Sequence, residues 1–232
     1  MNYSEMSEIL KSSLELSGEP VGVVLFKSES DIPKDQKELL KPASYCSMVM
    51  RARQGETIFA RPAQHDCKGG AAGIGLVECP ENIASGSLYF SKLNKCATQG
   101  VGQRISANMP RLPAGSTVAT LVAPLANLNT NPDVVIFVGS PLQARRIVQA
   151  VMYRRGGRAN IDTAGIQSFC VDATASPFLK GDVNISLGCD GSAKKSGLRD
   201  EDVVVGIPFE MMEDICGTLN ERHAGWDKFM RS

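Results

Sequence analysis

Four short runs of almost continuous apolar residues constrain this chain most: Pro20-Val-Gly-Val-Val-Leu-Phe26, Val118-Ala-Thr-Leu-Val122, Val134-Val-Ile-Phe-Val138 and Val203-Val-Val205. Each has the length of a strand and is rich in β-branched residues, which reads as a strand buried in a sheet. Between them the apolar period changes to that of a helix. Met6, Ile9, Leu10, Leu14 and Leu16 form one stripe, closed by Gly18 and Pro20. A helix after Pro42 carries Tyr45, Met48 and Val49 as far as Gly55. Ser140 as N-cap and Pro141 at the first helical position open another, with Leu142, Ile147, Val148, Val151 and Met152 on its stripe and Gly156-Gly157 at its end. A last helix follows Pro208, with Phe209, Met212, Ile215, Cys216 and Leu219 on one face. Shorter strands are expected at Thr57–Ala60 and Ser87–Leu93, an exposed segment at 27–41, and irregular or short helical structure at 100–115. The expected class is α+β, a mixed β-sheet with flanking helices in a single domain over 1–232, divisible into halves 1–125 and 126–232.

The halves carry a faint internal repeat. Each runs proline, apolar strand, helix, glycine turn, short strand and cysteine. At an offset of 103, Arg51 matches Arg154, Ile58 matches Ile161, Gln64 matches Gln167 and Cys67 matches Cys170. A pseudo-two-fold axis on that register relates Cys67 to Cys170.

Charge and hydropathy exclude several classes. The 25 Lys+Arg and 25 Asp+Glu cancel, whereas a general nucleic-acid binder needs an excess of cations. No apolar run approaches the roughly 18 residues that span a bilayer. Glu5, Glu8 and Glu15 interrupt the apolar positions of the N-terminus, unlike a signal peptide, so a cytoplasmic protein is expected.

Against that ordinary background stand seven cysteines beside two histidines, His65 and His223. An odd number of thiols without a secretion signal argues against a disulfide framework. Packing residues, a reactive thiol or soft metal ligands remain open. Cys67 lies in His-Asp-Cys-Lys-Gly-Gly and Cys189 in Ser-Leu-Gly-Cys-Asp-Gly, where small neighbours let the backbone approach a bulky group. Cys216 falls on an apolar helix face and reads as core. Cys79 and Cys96 have no evident role. Four thiolates from Cys46, Cys67, Cys170 and Cys189 suit a 4Fe–4S cluster, with zinc as the alternative. The chain has no Cys-x-x-Cys, so such ligands must converge through the fold. A nucleophilic thiol needs a histidine, and strand alternation sets His65 on the same face as Cys67.

The glycine-rich stretch Gly69-Gly70-Ala-Ala-Gly73-Ile-Gly75 matches neither phosphate-loop nor dinucleotide fingerprints, and close packing by small residues is its simpler reading. The helix start at Ser140-Pro141, with Arg145 and Arg146 one turn on, is a candidate anion site.

Tyr45-Cys46 with Ala52 and Gly55, and His65-Asp-Cys67 with Gly69-Gly70-Ala-Ala-Gly-Ile-Gly-Leu76, resemble the prokaryotic family of domain of unknown function 169. So do Asn131-Pro-Asp-Val-Val135, Pro141-x-Gln143-Ala144, and Cys170 with Pro177, Gly181, Asn184-x-Ser-Leu-Gly-Cys-Asp-Gly191 and Val205-Gly-Ile-Pro208. The resemblance runs from about residue 5 to 220. It implies cysteines at positions 46, 67, 170 and 189 but not at 79, 96 or 216, and a home mainly in archaea and anaerobic bacteria. Ser192-Ala193 stands where the family suggests an arginine nearby.

The leading expectation is a cytoplasmic iron–sulfur protein with redox or cofactor-related duties in anaerobic metabolism. Cys46, Cys67, Cys170 and Cys189 would be its metal ligands, with His65, Gly69, Gly70 and Asp190 around the cofactor. Its partner is then a redox protein or a small molecule, with no membrane, no general nucleic-acid binding, and a homo-oligomer left open. The alternative is a metal-free module in which the glycine-rich stretch and the Ser140-Pro141 helix start grip a small anionic or nucleotide-like ligand.

Overall fold

The computed structural model describes the backbone of residues 1–230 and the side chains of residues 1–222. The apolar runs become β1 (Val21–Phe26), β3 (Ala119–Pro124), β4 (Val134–Gly139) and β6 (Val203–Pro208). Two short strands, β2 (Ile58–Ala60) and β5 (Asn184–Ser186), complete one six-stranded sheet in the order β2-β3-β1-β4-β6-β5. All the ladders between these strands are antiparallel, with Val23 opposite Val122 and Val135 opposite Ile207. Parallel pairing is confined to the isolated bridges Glu38–Phe59 and Ala43–His65. The class is therefore α+β, with helices covering the sheet on both faces.

The strands are apolar throughout because both faces are buried. Along β1 and β4, Val24, Phe26, Val135 and Phe137 point into one core, while Val23, Leu25, Ile136 and Val138 point into the other. The first core lies under α1 (Tyr3–Leu14), α6 (Pro141–Arg155) and α9 (Met212–Met230). Covering the second are α2 (Tyr45–Ala52), α3 (Lys68–Gly73), α4 (Glu81–Ala84), α5 (Gln99–Ala107) and a buried π-helical segment, Ser168–Ala175. That segment runs into α7 (Ser176–Lys180), and α8 (Asp190–Ser196) follows β5 and packs on α2. Gly206 in β6 permits the close approach of the π-helical segment, because a Cβ there would lie 2.1 Å from the Ala173 carbonyl oxygen.

Helix ends follow local chemistry. Ser140 caps α6 with a reciprocal Gln143 box and Pro141 in the first turn. Helix α1 is capped by Asn2 with Glu5 and stops at Leu14, earlier than Gly18, because Glu15 turns left-handed (φ 55°). Residues expected as a strand at 87–93 instead form a π-helical turn, Leu88–Lys92. Its backbone closes on itself, with Phe90 N–H donating to Gly86 O and Leu93 N–H to Leu88 O, so it needs no sheet partner. Among the described residues no helix is long and apolar enough to cross a membrane.

The offset-103 register does not describe the architecture. Ile58 is 3% exposed within β2, whereas Ile161 is 44% exposed in a segment without strand. The two halves nevertheless order their strands alike. From its outer edge inward, the first half reads β2-β3-β1 and the second β5-β6-β4.

Candidate functional site

Each of the four singled-out cysteines sits at or near the start of a helical element in the second layer. Cys46 is the second residue of α2, behind the N-cap Ser44. Cys67 is the N-cap of α3, and Cys189 is the N-cap of α8. Cys170 lies in the first turn of the π-helical segment. Contributed by four separate elements, all four line one cavity of about 550 Å³. Gly69 and Gly70 line it as well. A Cβ on Gly70 would stand 3.6 Å from Cys67 Sγ and 3.8 Å from Cys170 Sγ, so the bare α-carbon leaves open the space that these two sulfurs share.

Polar groups meet three of the four sulfurs. Ser168 Oγ donates to Cys189 Sγ at 3.4 Å, and Ser192 N–H donates to it at the same distance. Ser44 Oγ is 3.2 Å from Cys46 Sγ, and Cys170 Sγ donates to Gln167 O at 3.6 Å. Burial raises the Cys170 thiol well above its ordinary value, and the neighbouring charges of Cys67, Cys189 and Cys46 add to it. Cys46 is raised too, by burial first, against the hydrogen bond from Ser44. Burial also pushes Cys189 upward, but its hydrogen bonds from Ser168 and Ser192 together outweigh that and hold it below the ordinary thiol value. Among the described residues, no three His, Cys, Asp or Glu side chains gather closely enough to hold a single metal ion. The sulfurs edge a cavity; they do not converge on a point.

The remaining thiols stand apart from it. Cys216 is fully buried on α9, under the other face of the sheet, where its Sγ donates to Met6 O at 3.9 Å. Burial pushes it up to about 12. Cys79 and Cys96 are partly buried in the layer that holds the cavity but do not line it.

His65 does not line the cavity either. It lies behind Tyr45, rings stacked at 6.4 Å, with Nε2 3.3 Å from Thr120 Oγ1 and Nδ1 unpartnered. Burial, followed by the Lys68 charge, lowers its pKa to about 4, so it is neutral and supports Tyr45. Strand alternation does not carry to Cys67, because a 3-10 turn at Pro62–Gln64 precedes His65 and α3 opens right after Cys67. The side chain of His223 lies outside the described residues. Asp190 lies at the exposed lip of the cavity, ion-paired with Lys95.

The glycine-rich stretch and the Ser140 helix start are on opposite faces of the sheet, since Ala71 belongs to one core and Ala144 to the other. They do not converge on one ligand. The helix start is also internally engaged: Gln143 Oε1 accepts from Ser140 N–H at 2.7 Å while Gln143 Nε2 donates to Leu14 O at 2.8 Å.

Several lining residues had no sequence signal of their own. Ser168 and Ser192 serve Cys189, and Tyr89, Gln167, Lys95 and Lys195 shape the rest of the cavity. Only Ser192, three residues beyond Cys189, was open to detection as the partner of an N-cap.

Comparison with known proteins matches the chain to one family over residues 9–217, that of domain of unknown function 169, described as uncharacterised ArCR. The uncharacterised protein MJ0308 of Methanocaldococcus jannaschii is 36% identical over 231 residues, which cover 97% of this chain and 98% of the relative. No solved structure matches. On both matches, the chain belongs to the domain of unknown function 169 family.

Proposed function

We propose that this chain is an iron–sulfur protein in which Cys46, Cys67, Cys170 and Cys189 hold a 4Fe–4S cluster for a redox or cofactor-related duty. One observation carries the proposal: four cysteines up to 143 positions apart, on four elements, line a single cavity, while Cys79, Cys96 and Cys216 do not. The surroundings fit such a group. Gly70 leaves room between two of the sulfurs, and Ser168 and the Ser192 amide direct hydrogen bonds at a third. A cluster supplies one-electron redox chemistry when bound.

The chain's own part is positional. As N-cap of α8, Cys189 accepts the Ser192 N–H at 3.4 Å, which favours its thiolate, and Cys67 holds the N-cap position of α3. Tyr45, 1% exposed and hydrogen-bonded to Thr174 at 2.9 Å, seals the floor between α2 and the π-helical segment. A lone zinc ion draws every sulfur to about 2.3 Å from one centre. The described side chains form no such shell.

Purification without oxygen, followed by reconstitution with ferrous iron and sulfide, tests the proposal. A brown protein with acid-labile sulfide is expected, with serine at position 46, 67, 170 or 189 lowering both and serine at 79, 96 or 216 leaving them intact. A colourless protein with one equivalent of zinc supports the zinc reading. A colourless, metal-free protein after reconstitution removes both.

A further inference from the structure

We propose that the cavity has a second compartment beside the thiols, which binds a compact uncharged organic molecule through one N–H or O–H donor. This goes beyond the cluster reading and needs no metal in the cavity. At about 550 Å³ the cavity is within the range of small-molecule sites, roughly 300–1,000 Å³. The thiols come from α2, α3, α8 and the π-helical segment. One stretch of chain, residues 80–95, brings Ile83, Leu88, Tyr89 and Leu93 to the cavity and no thiol. Ile166 lines it too, so this compartment is apolar in character.

Gln167 joins the two parts. Its Nε2 donates to Tyr89 Oη at 3.2 Å, and the Tyr89 proton is directed at Met109 Sδ at 3.9 Å. That leaves Gln167 Oε1 as an acceptor, buried and without a hydrogen-bond partner. Buried acceptors are costly to leave empty, and this one is held at a cavity by a non-glycine residue in the left-handed region (φ 58°). The empty acceptor points to a donor arriving from a ligand.

Ion pairs and a hydrogen bond occupy the lysines of the cavity. Lys95 pairs with Asp190, Lys195 with Asp66 at 3.1 Å, and Lys68 donates to His65 O at 3.3 Å. Every lysine on the cavity is thus already engaged. The ligand class that matches is a neutral molecule with an aromatic or branched aliphatic body and one hydrogen-bond donor.

N-phenyl-1-naphthylamine, neutral and aromatic with one N–H, tests this in the full chain by fluorescence titration beside its N-methylated analogue. Saturable binding of the first is expected, about ten-fold tighter than the second, as for one hydrogen bond. Gln167→Leu should bind both equally at the weaker level, and Leu93→Asp, at a half-exposed position, should weaken both alike. Absence of saturable binding, equal affinities in the wild type, or discrimination that survives Gln167→Leu in a folded variant overturns the proposal. If Gln167→Leu does not fold, the two amines on wild type and Leu93→Asp still decide. The Cys46→Ser/Cys67→Ser protein separates the readings: discrimination without iron upholds this compartment whatever becomes of the cluster.

Discussion

Cys67 and Cys189 hold the same post in the two halves of the chain: each N-caps a short helix that follows an edge strand, β2 for Cys67 and β5 for Cys189. On that positional correspondence Cys67 pairs with Cys189, and Cys46 with Cys170, instead of Cys67 with Cys170. Both members of each pair line the same cavity.

The space around Gly70 gives a graded test of the thiol site. Gly70→Ala adds a Cβ at ordinary contact distance from the two sulfurs and should leave iron and sulfide content unchanged. Gly70→Val extends into the shared space and should lower both by half or more. Iron and acid-labile sulfide assays after reconstitution check this, with thermal melting as the control for folding.

Gly206 allows no such latitude. A Cβ 2.1 Å from the Ala173 carbonyl forces β6 and the π-helical segment apart. Gly206→Ala should therefore destabilise the protein by about 1–3 kcal/mol, read from urea unfolding.

Asp202 sets an acid-sensitive contribution. Its carboxylate is 6% exposed and accepts from Arg199 Nε at 3.0 Å and Nη2 at 2.8 Å. Those hydrogen bonds lower its pKa in the folded state. A lowered carboxylate pKa stabilises the fold fully above the unfolded value of about 3.9, and the gain is lost as pH falls through the folded one. Asp202→Asn should cost on the order of 1–2 kcal/mol at pH 7 and little near pH 2, measured by denaturant unfolding at both.

Cys216 should be silent in the native state. With its thiol pushed up to about 12 and fully buried, it is protonated and screened at pH 8. Cys216→Ala should leave the number of thiols that react rapidly with an aromatic disulfide unchanged in native protein, and lower it by one in denaturant.

The sheet was legible because β-branched runs such as Val134–Val138 have few other ways to be buried, and α6 because Ser140 and Pro141 together spell a helix start. Strand β5 was not, since Asn184-Ile-Ser186 is short and partly polar and owes its pairing to β6. The π-helical pieces at 88–92 and 168–175 follow neither a two-residue nor a 3.6-residue period, so apolar spacing hides them. Glycine neighbours marked Cys67 and Cys189 as candidate ligands, and both line the cavity. Nothing local marked Gln167 or Tyr89, whose meeting depends on folding across 78 positions.

Within the sheet, the seam between the halves is short. Strands β1 and β4 share three residue pairs, whereas β1 and β3 share six, as do β4 and β6. The cavity straddles that seam in sequence: Cys46 and Cys67 come from one side, Cys170 and Cys189 from the other. Anything gripped by all four sulfurs is therefore a rivet through the join, and its affinity adds directly to the cohesion of the sheet.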